Sequence, residues 1–297
     1  MRRTALVLTA LTALTASTAL AQTPARHRSP AQYEALAKEI FRELIGINTT
    51  QSGSATRAAE AMAARLRAAG FPEADIQVVG PVPEKKNLVA RLRGRNTGKK
   101  PILLLAHLDV VEADPKDWSL NPFTFTEQDG WFYGRGTTDD KDESAIWITN
   151  LIRWKQEGHV PDRDIILALT ADEEGGPNNG VDWLVNEHRS LIDAAYGFNE
   201  GGGGVIKSGR RLSNNVQASE KVYQSFQLEA TNRGGHSSLP RRDNAIYQLS
   251  AALGKIGEYQ FPVKLNEVSR AFFERTAGIV PPDVAGAMRA ILRSPPD

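Results

Sequence analysis

The chain contains no cysteine. That absence excludes a disulfide framework, a thiol nucleophile and a cysteine-ligated metal, so any metal site must be built from His, Asp and Glu. Neither sign of charge is in excess: 36 Lys and Arg stand against 35 Asp and Glu, a formal net charge of +1. Such a balance provides no field to gather nucleic acid or an anionic membrane, and function must come from local sites. Histidine is scarce, at five residues: His27, His107, His159, His188 and His236. Long apolar runs are lacking too. The segment Ala5 to Leu14 is interrupted by threonines and falls short of the ~20 apolar residues that span a bilayer. With Arg2 and Arg3 before it and Ala19-Leu20-Ala21 after it, it reads as a secretory leader over 1–21. The protein is then periplasmic or secreted, with no membrane attachment after cleavage.

What is present supports a large buried core, with 41% hydrophobic and 24% charged residues. Pro30 to Ile45 predicts a helix with Ser29 as its cap, and Ala55 to Ala69 a second helix closed by Gly70. Short β-rich runs follow at Ile76 to Val79 and Asn87 to Leu92. The continuous apolar run Ile102 to Leu105 has the pattern of a strand buried on both faces. Phe123 to Phe125 and Trp131 to Tyr133 flank Asp129-Gly130 and predict a hairpin on the sheet edge. Glu143 to Gln156 reads as a helix, Ile165 to Leu169 as a strand, Val181 to His188 as a helix and Ala194 to Phe198 as a strand. This alternation predicts an α/β fold, a mostly parallel sheet with helices on both faces. Gly201 to Gly204 reads as a loop. Near Gln217 the pattern changes: Val222 to Ala230 alternates like a half-exposed strand, and Asp243 to Ile256 reads as an amphipathic helix. A smaller α+β domain is therefore predicted over 216–297, after a larger one over 22–215.

Three of the predicted strands run into polar clusters. Ile102 to Leu105 leads to His107-Leu108-Asp109, Ile165 to Leu169 to Asp172-Glu173-Glu174, and Ala194 to Phe198 to Asn199-Glu200. In open parallel sheets ligands bind beyond the carboxyl ends of the strands, so these clusters are expected to converge. A fourth cluster, Asp139-Asp140, follows Gly134-Arg135-Gly136. Alone it would serve as a helix cap, and no Gly-Lys-Ser/Thr follows to make the glycines a phosphate loop. Four carboxylates crowded round an imidazole repel one another, and divalent cations remove that conflict. Such oxygen-rich sites suit zinc, and also manganese or cobalt. Alternation puts Asp109 on the same side of its segment as His107, where it can accept the ring's second N–H. Of Glu173 and Glu174, one can bind metal while the other takes a proton from metal-activated water.

In this order the stretches LLLAHLDVV, YGRGTTDDKD, LALTADEEGG and FNEGG resemble zinc metallopeptidase family twenty. That family includes glutamate carboxypeptidases, aminoacylases, carnosinases, acetylornithine deacetylase and succinyl-diaminopimelate desuccinylase. The resemblance implies a phosphorylase/hydrolase-like catalytic domain holding two divalent metal ions, zinc foremost. His107 and Glu200 would bind one ion and Glu174 the other, Asp139 would bridge them, Glu173 would be the general base and Asp109 would orient His107. It also implies a cis peptide at Asp139-Asp140. NRGGHSSLP resembles the start of the family's lid or dimerisation domain, implying a homodimer in which His236 reaches the partner subunit's site and stabilises the tetrahedral intermediate.

Two departures stand out. Asp142 replaces the family's usual glycine, at a helix start where a carboxylate suits the dipole. The family's late histidine ligand has no counterpart among the five histidines, so the chain reads as C-terminally truncated. The implied activity is hydrolysis of the amide bond of a small peptide or N-acyl amino acid, next to a free carboxylate, by metal-activated water. The alternative is a catalytically inactive, truncated remnant that binds metal or dimerises. A phosphate-binding α/β protein is disfavoured by the missing P-loop lysine.

Overall fold

Strands buried on both faces need apolar residues at successive positions, which Ile102 to Leu105 and Ile165 to Leu169 supply. In the computed structural model, which describes residues 30–218 and 220–293, both segments lie in the interior of one five-stranded sheet. The leader over 1–21, His27 and Ser29 lie outside the described residues. Contacts divide the chain into two units, Met1–Glu200 and Gly201–Asp297.

The first unit runs α1 (Ala31–Gly46), α2 (Ala55–Ala68), β1 (Ile76–Val79), β2 (Asn87–Leu92), β3 (Ile102–His107), β4 (Thr126–Gln128), β5 (Trp131–Tyr133), α3 (Lys141–Gln156), β6 (Ile165–Thr170), α4 (Gly180–Glu187), α5 (Arg189–Ile192) and β7 (Tyr196–Phe198). The sheet order is β1-β2-β6-β3-β7. Strand β2 is antiparallel to both neighbours, while β3 is parallel to β6 and β7. All strands but β2 therefore point one way, the mostly parallel α/β sheet that the alternation predicts.

Side-chain alternation divides the core in two. Leu88 and Ala90 of β2, Leu104 and Ala106 of β3, and Leu167 and Leu169 of β6 pack with Ile40, Leu44, Met62, Leu66, Ile148 and Leu151 of α1, α2 and α3. The intervening Val89, Ile166 and Ala168 pack with Leu184 of α4. Helices thus cover both faces, and each fully buried Leu or Ile contributes about 1.5–3 kcal/mol. After α2, Gly70 takes a positive φ of 87° and turns the chain into β1.

The β4–β5 hairpin departs from expectation in register and in place. Asp129 and Gly130 both have positive φ, 53° and 80°, and make a two-residue turn that pairs Gln128 directly with Trp131. The first strand is therefore Thr126–Gln128, not Phe123 to Phe125. The ribbon is a separate two-stranded sheet rather than an edge of the main one. Its Phe125 and Phe132 seat edge-on against Phe41 of α1, at centroid distances of 5.3 and 5.9 Å.

The second unit holds β8 (Gly203–Lys207), β9 (Arg210–Asn215), α6 (Ala245–Glu258), α7 (Glu267–Thr276) and α8 (Pro282–Ile291). The β8–β9 hairpin takes up part of the glycine stretch expected as a loop, turning at Ser208 and Gly209 with φ of 49° and 74°. The predicted helix forms as α6, beginning at Ala245 because the Asn244 side chain caps the Ile246 N–H. Val222 to Ala230, expected as a strand, belongs to none. Val222, Tyr223 and Phe226 are 91%, 89% and 81% exposed, and among the described residues no neighbouring strand offers a ladder to join. No helix among the described residues is long and apolar enough to cross a membrane.

Candidate metal centre

The parallel register determines where the polar clusters go. Strand β3 pairs His107 with Thr170, the end of β6, and Leu104 with Phe198, the end of β7. His107, the Asp172-Glu173-Glu174 turn and Glu200 therefore emerge side by side at the carboxyl edge of the sheet. Asp139 and Asp140, joined by a cis peptide bond, enter from the N-terminus of α3.

His107 sits at the centre. Its Nε2 is 2.9 Å from Asp139 Oδ1, 3.7 Å from Glu200 Oε1 and 3.9 Å from Glu173 Oε2. Its Nδ1 is 3.0 Å from the backbone carbonyl oxygen of Asp109 and 3.6 Å from that residue's carboxylate. The carbonyl is thus the nearer acceptor for the ring. The Asp109 carboxylate has other partners: its two oxygens accept the backbone N–H groups of Glu173 and Glu174, at 3.0 and 2.9 Å. Asp109 in this way ties the end of β3 to the turn after β6, and Glu174 is positioned through its own backbone.

Asp140 occupies the N-cap position of α3 without capping it. Its Oδ2 instead accepts the His107 backbone N–H at 3.0 Å. One donor atom each from His107, Asp140 and Glu200 lie within 4.8 Å of one another. The sequence reads Asp140 as part of a helix cap and not as a partner of His107, because nothing local marks a bond to a residue 33 positions away. Lys141 was likewise unmarked. Fully buried, its Nζ donates to the carbonyl oxygens of Leu44 and Ile47, at 2.9 and 2.8 Å, and anchors the Asp139-Asp140 segment to the C-terminal end of α1.

The site has a buried floor and an open rim. His107 and Asp109 are 2% exposed and Asp140 3%, whereas the side chains of Asp139, Glu173 and Glu200 are 56%, 46% and 36% exposed. Burial works against a charged His107, but Asp109, Asp140 and Glu173 outweigh it and push its pKa up to about 10. Burial, with Glu143 and Glu200 nearby, pushes Asp140 up to about 7. Glu173, Glu174 and Glu200 are also raised, by burial first and then by one another and by Asp139. Asp109 is lowered: burial opposes its ionisation, and His107 and the two N–H donors prevail. A ring of carboxylates held this close around one imidazole fits divalent cations by donor type and by charge, since a cation reverses the repulsion.

His236 lies in the second unit, exposed, with Nδ1 2.7 Å from Ser238 Oγ. His159 and His188 lie beside Trp154 and Trp183, at centroid distances of 6.3 and 4.4 Å. Among the described residues of the first unit, His107 is the one imidazole in the cluster.

The chain is similar in sequence to several known proteins. The N-fatty-acyl-amino acid synthase/hydrolase of Xenopus tropicalis is 32% identical over 176 residues, covering 58% of this chain and 34% of that protein. The succinyl-diaminopimelate desuccinylase of Delftia acidovorans is 29% identical over 208 residues, covering 65% of this chain and 48% of that protein. The chain thus spans less than half the length of these relatives. A family M20 metallo-carboxypeptidase from Sulfolobus solfataricus aligns with a TM-score of 0.47 at 20% identity, over 56% of this chain and 37% of that one. Residues 103–290, which carry His107, both aspartates, both glutamates of the β6 turn and Glu200, match Peptidase family M20/M25/M40, and the chain belongs to that family.

Proposed function

We propose that the chain is the metal-binding part of a hydrolase that cleaves an amide bond beside a free carboxylate, in a small peptide or an N-acyl amino acid. The observation that carries this reading is the approach of Asp139, Glu173 and Glu200 to one imidazole nitrogen, at 2.9, 3.9 and 3.7 Å. His107 and Glu200 would hold one divalent ion and Glu174 a second, with Asp139 able to serve both; zinc would suit these donors, as would cobalt and manganese. When bound, such ions polarise a carbonyl and make water a better nucleophile near neutral pH. Glu173, on the open rim with a raised pKa, accepts a proton from the attacking water at its carboxylate and returns it to the leaving amine. The activities for which two relatives are named, on N-fatty-acyl amino acids and succinyl-diaminopimelate, support an acylated amino acid as substrate class. His236 and the exposed apolar residues of α6, Ile246 and Tyr247, support pairing through the second unit, which sedimentation velocity would show as a dimer.

The test is a hydrolysis screen over dipeptides and N-acyl amino acids with zinc, cobalt or manganese supplied, run on the wild type and on Glu173→Gln. Glu173→Gln is expected to lose roughly 10²–10⁴-fold in kcat while still binding metal. Full turnover in the metal-loaded variant would remove Glu173 from the mechanism. A single imidazole in the first unit's cluster favours one further reading, a chain that binds metal without turning over substrate. Zinc binding seen by calorimetry together with no turnover anywhere in the hydrolysis screen argues for it, and turnover of any substrate argues against it.

A further inference from the structure

We propose that Lys85 is a positioning residue of this site: paired with Asp172 beneath the Glu173-Glu174 turn, it sets where those two carboxylates stand. Its consequence for metal binding rests on the functional reading above; its geometry does not. Lys85 is 6% exposed and Asp172 1%, and Lys85 Nζ lies 3.1 Å from Asp172 Oδ1. The same ammonium donates to the backbone carbonyl oxygens of Thr50 and Gln51, at 3.2 and 3.0 Å. Neither oxygen of Asp172 has a hydrogen bond among the described residues, so the lysine's charge is what offsets this buried carboxylate.

The turn is built round that carboxylate. Asp172 takes a φ of 54°, unusual for a residue with a Cβ, and Gly176 folds back so closely that a Cβ there would lie 2.6 Å from Asp172 Oδ2. One residue earlier, the Ala171 N–H is held by Asn87 Oδ1 at 3.0 Å; one and two residues later, the Glu173 and Glu174 N–H groups are held by Asp109. Asp109 grips the turn from β3, and Lys85 grips it from the start of β2 and the α1–α2 loop. Without Lys85 the buried Asp172 charge is left uncompensated, and turning it out to water carries Glu173 and Glu174 with it. Lys85 touches none of the proposed metal ligands and acts through Asp172.

Amide hydrogen exchange on the full chain, wild type against Lys85→Met, tests the proposal. Exchange at Glu173 and Glu174 is expected to quicken by at least about tenfold while the β2–β6 ladder stays protected. Affinity for cobalt(II), followed by its visible absorption, is expected to weaken roughly 10- to 100-fold. Unchanged exchange at those two amides overturns the proposal. So does equal acceleration across the ladder, which would make Lys85 a stability residue only. Should Lys85→Met not fold, Lys85→Gln keeps a donor for the Thr50 and Gln51 carbonyl oxygens, removes the charge that faces Asp172 and must quicken exchange at the same two amides, or the proposal fails. A wild-type chain that binds no cobalt refutes the functional reading, and the exchange pattern still decides the role of Lys85.

Discussion

Asp109 gives its backbone carbonyl to the His107 ring and its two carboxylate oxygens to the Glu173 and Glu174 N–H groups, so one residue couples the imidazole to both glutamates. Asp109→Asn keeps only one acceptor oxygen and must release one of those N–H groups. Calorimetric zinc affinity is expected to fall roughly 10- to 100-fold with the far-ultraviolet circular dichroism unchanged; affinity within twofold of wild type would show that the turn holds without it. At this scale the candidate site was partly legible. His107, Asp139, Glu173, Glu174 and Glu200 interrupt an apolar pattern, and polar residues at the ends of apolar strands stand out. Asp140, Lys85 and Asn87 do not, because their bonds reach across 33, 35 and 84 positions, and no local pattern encodes such a distance.

Among the elements, the α1–α3 helices followed from helical spacing and end signals, and the interior strands β3 and β6 from short continuous apolar runs. The β4–β5 turn is a two-residue loop set by Asp129-Gly130, and Gly130 has open space where a Cβ would go. Gly130→Ala is therefore expected to cost about 1–2 kcal/mol from its φ of 80° alone, read from urea unfolding midpoints. A null effect would mean that the ribbon does not fold with the unit. At the other end of the sheet Asp164, just before β6, accepts the Gly94 N–H at 2.7 Å and Arg91 Nη1 at 2.9 Å. Burial opposes its ionisation, but that N–H, Arg91 and Arg93 hold its pKa below the usual value. The unfolded chain therefore binds this proton more readily, so the stabilisation is complete above the ordinary aspartate pKa and is lost as pH falls through the folded one. Asp164→Asn is expected to destabilise by about 1–3 kcal/mol at pH 7, with the gap to wild type closing below about pH 4. A gap that stays constant with pH would assign the loss to packing.

For the whole molecule, a cation held by the folded cluster and not by the unfolded chain must stabilise by mass action. Zinc at a hundred times its Kd is expected to add about 2.7 kcal/mol, or roughly 5–10 °C in Tm, reversed by a chelator; no shift would contradict a metal-binding fold. Between the β8–β9 hairpin and α6 the described residues form neither helix nor strand and are largely exposed, so trypsin is expected to cut first at Lys221, Arg233 or Arg242. First cuts inside α1 or α3 would instead make the first unit the weaker one. The order of residues along the chain is enough to specify the α/β class, the strand ends that carry acid and imidazole, and a resemblance that the family match over 103–290 bears out. Those properties repeat along the chain or sit within a few residues. Only the folded arrangement sets that β3 lies between β6 and β7, which acceptors His107 and the glutamate turn receive, and that Val222 to Ala230 joins no sheet among the described residues. Each of these depends on which distant backbone lies alongside, and hydrogen bonds and buried charges are satisfied in space rather than along the sequence.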